Sequence, residues 1–277
     1  MTCWPLPNGE NSVMTDIDLA LLETAVAWTQ QAGALTLEWF NNPDLAIDAK
    51  GDGTPVTQAD RAAERLLREL IADAFPLDGI QGEEEADRIG SSGRGWVIDP
   101  IDGTKAFTHG VGTYSNLLYL EDEHGPAIGI INLPALGETI YAGRGVGCFV
   151  NGTPCRVSDR EELDGSYLSC TGFHMWTPDM FSKVTQAGPR LRTWGDAYGY
   201  ALVATGRIEA MMDPVLAWWD IAPLTVIIPE AGGVLTARNG SAALNMDGTD
   251  NTSTTAVYSA IASNGLLHEQ FVNLLHP

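Results

Sequence analysis

The sequence is poor in basic residues. It holds 15 Lys and Arg against 36 Asp and Glu, which gives a formal net charge of −21 at pH 7. Because so acidic a chain repels polyanions, we expect neither nucleic acid nor a membrane surface as a partner. Most of these carboxylates are expected to form a solvated surface. A bound phosphate would need local positive potential from metal ions or helix N-termini.

Segments typical of secretion or of a membrane span are also missing. No run of about 20 apolar residues is present, so the sequence predicts no membrane-spanning helix. Residues 1–10 lack the basic region and apolar run of a secretory signal. The four cysteines, Cys3, Cys148, Cys155 and Cys170, form no C-x-x-C pair, which favours reduced thiols. We therefore expect a cytoplasmic protein.

The motifs of several other enzyme classes are absent from the sequence. There is no G-x-S-x-G nucleophile elbow and no G-x-x-x-x-G-K-[ST] phosphate loop. The five histidines (His109, His124, His174, His268 and His276) show no zinc-ligand spacing. These absences disfavour serine hydrolases, P-loop enzymes and zinc hydrolases.

The pattern of apolar residues divides the chain into two halves. Apolar residues at helical spacing predict helices over residues 18–41 and Gln58–Ala74, and a run of strands follows. This predicts an N-terminal α+β half at 1–151, with two helices and an antiparallel sheet covered on one face. Short strands alternating with helices predict a C-terminal α/β half at 152–277.

The most informative segment follows an apolar strand and contains two aspartates. It reads Asp99-Pro100-Ile101-Asp102-Gly103-Thr104. A turn here can place both carboxylates and the Ile101 carbonyl around one point, with oxygen ligands that Mg²⁺ favours. Thr104 could then cap a short helix whose free N–H groups face an anion. The alternative is an ordinary connection in which the aspartates form turns and caps.

Three predicted helix starts also carry carboxylates. Asp220 is either a metal ligand or a plain N-cap, and Asp60 follows Thr57 at the spacing of a capping box. For Asp60, a functional role and a capping role both stay open. Gly195 and Asp196 open a further helix and form a candidate site for an anion or a hydroxyl group.

Taken together and in order, these segments resemble the inositol monophosphatase superfamily. That family forms one metal site from a G-E-E segment, a D-P-[IL]-D-G-[ST] segment and a W-D segment. Here the matching segments are Gly82-Glu83-Glu84, residues 99–104 and Trp219-Asp220, with Gly232-Gly233 after them. The similarity extends over residues 18–265. It implies an α/β (α+β) fold, the layered αβαβα sandwich of the inositol monophosphatase and sugar phosphatase type.

Details of the sequence are most similar to the histidinol-phosphatase branch common in actinobacteria. The matching features are residues 54–62, residues 194–198 and Lys105. Inositol monophosphatases usually carry a small residue in place of Asp196 and Glu in place of Asp213. An acidic residue at 196 suits a cationic substrate such as the amino alcohol of histidinol phosphate.

The resemblance implies a Mg²⁺-dependent phosphoric monoester hydrolase acting on a small phosphorylated alcohol. The substrate it favours is L-histidinol phosphate, cleaved to L-histidinol and phosphate in histidine biosynthesis. The alternatives are an inositol-1-monophosphatase, a related sugar or nucleotide phosphatase of the same superfamily, and a noncatalytic acidic metal-binding protein. The family also implies a homodimer.

The family pattern implies two or three Mg²⁺ ions per site. One ion would be held by Glu83, Asp99 and the Ile101 carbonyl. A second would be held by Asp99, Asp102 and Asp220, with Asp99 shared between the two. A third, weakly held ion would lie near Glu83.

The same pattern assigns catalytic roles to Thr104, Asp60 and Glu83. Thr104, polarised by Asp60, would orient the attacking water. The residues implied in substrate binding are Asp102, Gly103, Thr104, Gly195, Asp196 and Asp213. Of these, Asp196 and Asp213 would contact the alcohol half of the substrate.

Overall fold

The structure is a computed structural model that describes residues 17–49, 51, 55–242 and 258–275. Residues 1–10, Cys3, Thr54 and His276, which enter the predictions above, lie outside these ranges. Among the described helices, none combines the length and the apolar character that crossing a membrane requires.

Two long helices begin the fold. Helix α1 spans Leu19–Leu37 and α2 spans Gln58–Ala74, as predicted, although α1 ends four residues earlier than expected. Between the two helices, the short strands β1 (Ile47–Ala49) and β2 (Pro55–Thr57) pair with each other. Apolar residues of both helices share one core with one face of the large sheet, which positions the start of α2 near the site described below.

The large sheet contains seven strands in chain order. They are β3 (Gly79–Gly82), β4 (Gly95–Asp102), β5 (Ser115–Asp122), β6 (Gly125–Leu133), β7 (Glu138–Gly143), β8 (Gly147–Val150) and β9 (Thr153–Cys155). The prediction of an antiparallel sheet is confirmed for β4 to β9, whereas β3 and β4 are parallel. The reason is that residues 83–94 form a crossover instead of a hairpin. The short helix α3 (Thr104–Thr108) follows β4.

The second sheet contains five strands in the order β11-β10-β12-β14-β13. They are β10 (Tyr167–Ser169), β11 (Arg190–Arg192), β12 (Ala210–Leu216), β13 (Val234–Thr236) and β14 (Tyr258–Ser263). The helices of this part are α4 (Pro178–Ala187), α5 (Asp196–Ala204), α6 (Trp218–Ile221), α7 (Leu224–Glu230) and α8 (His268–Leu275).

The elements stack in five layers. Helices α1 and α2 cover one face of the large sheet, and α5 and α7 fill the space between the two sheets. Helices α4 and α8 cover the outer face of the second sheet. This order confirms the predicted αβαβα sandwich. The expectation that the first sheet is covered on one face is wrong, because helices from the second half pack on its other face.

The predicted boundary between residues 151 and 152 falls in the turn between β8 and β9. Strand β9, at Thr153–Cys155, pairs with β8 and completes the large sheet. One buried core joins residues from both sheets, including Leu117 and Met211. The division into two halves therefore stays a prediction.

Candidate active site

A β-bulge in β4 aligns the two aspartates of the D-P-I-D segment. Asp99 is opposite Leu117, and Asp102 is opposite Ser115, so three steps along β4 match two steps along β5. Side chains alternate between faces of a strand, so residues three apart normally point in opposite directions. The extra residue corrects this and turns both carboxylates to the same face. The strand therefore continues through Asp102, where the sequence predicted a turn after Asp99.

A buried amide network holds the bulge. Asn116 Nδ2 donates to the Pro100 carbonyl at 2.6 Å, and Asn132 Nδ2 donates to Asn116 Oδ1 at 2.9 Å. Thr139 Oγ1 in turn donates to Asn132 Oδ1 at 2.9 Å. Since buried carbonyl oxygens need donors, this network fixes the backbone between the two aspartates. Nothing in the sequence marked Asn116 or Asn132 for this role.

Helix α6 brings a third carboxylate to the same place. Asp220 is the third residue of α6, and its Oδ2 accepts from the backbone N–H of Ala217 at 2.7 Å. It is therefore not the N-cap that the alternative interpretation predicted. One carboxylate oxygen from each of Asp99, Asp102 and Asp220 lies within 4.8 Å of the others. We call these three residues the aspartate triad.

Burial, and then crowding, raises the pKa values of these carboxylates. Burial, followed by the charges of Glu83, Asp102 and Asp220, raises the pKa of Asp99. Burial and then Asp196 and Asp220 raise the pKa of Asp102. Burial and then Glu83 raise the pKa of Asp220 to about 7.

These shifts test whether the triad fits a metal ion. Carboxylates this close repel one another, and in the absence of a cation they retain protons at higher pH. A divalent cation removes the repulsion and prefers the same oxygen donors. Two buried carboxylates and one half-buried carboxylate, close together and offering only oxygen donors, thus fit a divalent cation at Asp99, Asp102 and Asp220.

A buried glutamate positions the G-E-E segment. The carboxylate of Glu64 accepts from the backbone N–H groups of Glu84 at 2.8 Å and Glu85 at 3.0 Å, and from Arg68 Nε at 2.8 Å. A Cβ on Gly82 would lie 2.1 Å from Glu64 Oε1, so only glycine fits beside this carboxylate. Glu64 was not among the sequence candidates, since on α2 it looks like one more surface charge.

Asp60 and Thr104 have different hydrogen-bond partners. Asp60 Oδ2 accepts from the backbone N–H of Thr57 at 2.8 Å and from its hydroxyl at 2.6 Å, so the predicted capping box is present. Thr104 Oγ1 donates to the Ile101 carbonyl at 3.1 Å. Burial raises the pKa of Asp60, and the charge of nearby Glu83 adds to this effect. Polarisation of Thr104 by Asp60 stays a prediction.

The start of α5 is tied to the end of β4. Asp102 Oδ2 accepts from the backbone N–H of Ala197 and from Ser115 Oγ, both at 2.8 Å. Gly103 has a φ of 74°, and a Cβ there would lie 2.9 Å from Asp196 Oδ2. Asp196 itself has a φ of 54°, a left-handed conformation that Asp tolerates better than most residues. The carboxylate of Asp196 therefore lies directly beside Gly103.

Thr171 links the remaining two candidates. Its backbone N–H and its hydroxyl donate to the two carboxylate oxygens of Asp213 at 2.8 and 3.0 Å. The same hydroxyl accepts from the backbone N–H of Asp196 at 2.8 Å. Burial raises the pKa of Asp213 to about 6, with a further contribution from Asp196. Gly195 packs against Thr171, where a Cβ would lie 2.7 Å from the threonine Cα.

A cavity of 110 Å³ lies beside the triad. Its lining residues are Asp102, Thr171, Asp196, Ala197, Tyr200, Val215, Leu216 and Asp220. Three of the eight are carboxylates, and the buried Tyr200 lies close enough to Asp213 for that charge to raise the pKa of the phenol, after the larger effect of burial. A small group entering this cavity therefore meets three carboxyl groups, two of them from the triad.

The fold and the carboxylate cluster together define a class of layered-sandwich proteins with solved members. The extragenic suppressor protein SuhB of Bartonella henselae superimposes with a TM-score of 0.82 at 27% sequence identity. The match covers 93% of this chain and 98% of the other.

Sequence comparison gives the family. The model of the inositol monophosphatase family matches residues 19–276, and the chain belongs to this family. A histidinol-phosphatase of Chlorobaculum parvum is 44% identical over 217 residues, covering 76% of this chain and 83% of that protein. A histidinol-phosphatase of Mycobacterium tuberculosis is 36% identical over 272 residues, covering 95% of this chain and 99% of that protein.

Proposed function

We propose that the protein is a Mg²⁺-dependent phosphoric monoester hydrolase that cleaves L-histidinol phosphate to L-histidinol and phosphate in histidine biosynthesis. The observation that carries the proposal is the aspartate triad, with its oxygens within 4.8 Å, beside a cavity walled by Asp196. Family membership and the names of the two relatives support it.

The metal-holding residues follow from the triad and its neighbours. Asp99, Asp102 and Asp220 would hold one Mg²⁺, and Glu83, Asp99 and the Ile101 carbonyl a second. A third ion would bind more weakly near Glu83. When bound, the ions supply positive charge for the phosphate and lower the pKa of water so that hydroxide forms at neutral pH.

The remaining site residues position the reactants. The N–H groups of Gly103 and Thr104 would bind phosphate oxygens, because they open α3 at the end of the bulged strand. The Thr104 hydroxyl, polarised by Asp60, would orient the attacking water and favour loss of the proton of that water. Such a site acts mainly by placing water in line with the leaving group and by stabilising charge in the transition state.

The acidic wall of the cavity favours histidinol phosphate over inositol phosphate. Histidinol carries a protonated amine, whereas inositol offers only hydroxyl groups. Asp196 lines the cavity, and Asp213 lies behind Thr171 with a pKa of about 6, so Asp213 adds a negative charge near the amine at neutral pH. An inositol-1-monophosphatase, or a related sugar or nucleotide phosphatase, is the second candidate, because such enzymes share this family.

A substrate panel tests the proposal. The expected result with saturating Mg²⁺ is a kcat/KM at least about tenfold higher for L-histidinol phosphate than for inositol 1-phosphate, fructose 1,6-bisphosphate or a nucleotide 3′-phosphate. A higher kcat/KM for inositol phosphate would overturn the proposed assignment of histidinol phosphate as the substrate. Absence of turnover on every phosphomonoester would overturn the enzyme class.

Two amide variants control the panel. Asp102→Asn retains an acceptor for Ala197 and Ser115 but removes a charge from the triad, so we expect activity to fall by about 10²-fold or more. Asp179→Asn removes a carboxylate from an ion pair with Lys183 on α4, away from the triad, and should leave activity unchanged.

We also propose that the enzyme is a cytoplasmic homodimer with no nucleic-acid or membrane partner. The net charge of −21 supports the absence of polyanionic partners. Light scattering of the purified protein would test the dimer, and a monomeric mass at working concentration would contradict it.

A further inference from the structure

Two cysteines face each other in the hairpin at the edge of the large sheet. Cys148 on β8 and Cys155 on β9 are register partners, and their sulfur atoms are 3.5 Å apart. The hairpin turns at Asn151 and Gly152, whose φ values of 48° and 80° are those of a two-residue type I′ turn. This turn fixes the register, so the two sulfurs stay opposite each other.

The backbone spacing of this pair suits a disulfide. Opposed residues of antiparallel strands have Cα atoms about 4.5–5.5 Å apart, and disulfides span Cα distances of about 4.4–6.8 Å. Cys148 and Cys155 therefore need only side-chain rotation to bond. Cys170 belongs to a different core cluster, beyond the second sheet, and is not a competing partner in the folded chain.

The two thiols have different surroundings. Cys148 is 3% exposed and lies in the core between the sheets, whereas Cys155 is half-buried on the edge strand. The contact between the thiols, and then the positive charge of Arg207, lower the pKa of Cys155. The same contact and burial raise the pKa of Cys148. Cys155 is thus the thiol that reacts first with an oxidant, and Cys148 is placed behind it.

We propose that Cys148 and Cys155 form a reversible redox modification site, a disulfide made by exchange with a low-molecular-weight disulfide. The Cys155 thiolate attacks one sulfur of the oxidant, which releases one reduced thiol and leaves a mixed disulfide on Cys155. Cys148 then loses its proton and attacks the Cys155 sulfur, which releases the second thiol. Overall, two protein thiols are oxidised and one small disulfide is reduced to two thiols.

The disulfide would stiffen a junction between the two halves of the chain. Beyond β9, the backbone N–H of Val157 donates to the Ala231 carbonyl at the end of α7. On the other side, Glu230 of α7 accepts from the backbone N–H groups of Gly145 and Gly147 at 2.8 Å. Linking β8 to β9 therefore holds the hairpin against α7, and we expect the oxidised protein to melt at a higher temperature.

Mass spectrometry of the oxidised full-length chain tests the proposal. A Cys3→Ser variant is incubated with glutathione disulfide and digested without reduction. We expect a peptide pair joined through Cys148 and Cys155, reversed by dithiothreitol, and a melting temperature raised by about 2–5 °C. Two free thiols under excess oxidant, a glutathione adduct that stays on Cys155, or a bond to Cys170 would each overturn the inference.

Two serine variants in the same background separate the site from general oxidation. Cys155→Ser should abolish the shift in melting temperature and leave Cys148 unmodified, whereas Cys170→Ser should keep the shift. A shift that persists in Cys155→Ser would refute the assignment. Should Cys155→Ser fail to fold, the peptide pair in the Cys3→Ser background still decides which sulfurs join.

Discussion

Asn116 donates a hydrogen bond of 2.6 Å to the carbonyl of Pro100, in the middle of the bulge between Asp99 and Asp102. Asn116 is fully buried, so the carbonyl would have to find another donor if this side chain were removed. A side chain that hydrogen-bonds to the backbone between two predicted ligands thus sets the direction of both.

Replacing this asparagine should loosen the metal site. We expect Asn116→Ala to lower the free energy of unfolding by about 1–3 kcal/mol and to weaken Mg²⁺ binding about tenfold, because the bulge loses its buried donor. Calorimetric titration with Mg²⁺ and chemical denaturation would measure both effects. Asn239→Ala, at an exposed position, is the control. Unaltered Mg²⁺ affinity in Asn116→Ala would contradict the role of the network.

Gly82 should be intolerant of any side chain. In Gly82→Ala the new Cβ would meet Glu64 Oε1 at 2.1 Å and push that carboxylate off the backbone N–H groups of Glu84 and Glu85. We expect the free energy of unfolding to fall by about 1–3 kcal/mol and phosphatase activity to fall about tenfold or more. The matched control is Gly95→Ala, where the nearest atom lies at 3.6 Å. Equal activity in the two variants would argue against a positioning role for Glu64.

The triad should make the metal-free protein less stable as the pH rises. Folding raises the pKa of Asp220 from 3.8 to about 7, so the folded state holds a proton that the unfolded state releases between these values. The stabilisation is complete below about pH 4 and is lost as the pH rises to about 7. Melting of the EDTA-treated protein should therefore occur at a lower temperature at pH 8 than at pH 5. Saturating Mg²⁺ should remove most of this difference.

The net negative charge of the whole chain also makes the protein more stable at lower pH. A variant is therefore needed to separate the contribution of the triad from that of the net charge. Asp220→Asn keeps an acceptor for the Ala217 N–H and removes one ionisable group from the cluster. Without metal at pH 8, we expect it to be more stable than the parent by about 1–3 kcal/mol, and to gain less from Mg²⁺. If the stability of the parent and of the variant changed with pH in the same way, the triad would not be the cause of the loss of stability at high pH.

Binding of a cationic substrate should depend on the ionisation of Asp213. Its pKa of about 6 means that the carboxylate is charged above this pH and neutral below it. The KM for L-histidinol phosphate should therefore rise about three- to fivefold as the pH falls from about 7.5 to 5.5. Asp213→Asn should show a higher KM that depends less on pH. The same measurement with inositol phosphate, which has no amine, serves as the control for titration of the phosphate group. Identical profiles in the two proteins would remove Asp213 from recognition of the amine.

The resemblance of the sequence to a known family was sufficient for the layered sandwich and for the segments that form the triad. Helix α2 has the predicted bounds because its apolar face and its Thr57–Asp60 capping box are both local signals. The order of the motifs points to Asp99, Asp102 and Asp220, and the structure brings their oxygens together. The proposed roles of the other candidates still await experiment.

The parts that could not be predicted depend on contacts between distant segments. Glu64, Asn116 and Thr171 look in sequence like a surface charge, a strand residue and a loop residue, and their roles arise only from the backbone groups they meet. The bulge in β4 is likewise a matter of register against β5, which no single segment encodes. Parallel pairing of β3 with β4 was missed for the same reason.

Asp60 and Asp220 both accept a hydrogen bond from the backbone three residues earlier, at the first turn of a helix. Each therefore also stabilises the start of a helix, α2 or α6, and this role does not depend on catalysis. A descendant that had lost hydrolysis would still be selected to retain a hydrogen-bond acceptor at these two positions, so the survival of Asp or Asn there is poor proof of activity. Asp99, whose charge is opposed by three other carboxylates, is costly to keep in an inactive protein and would be the more telling position to inspect.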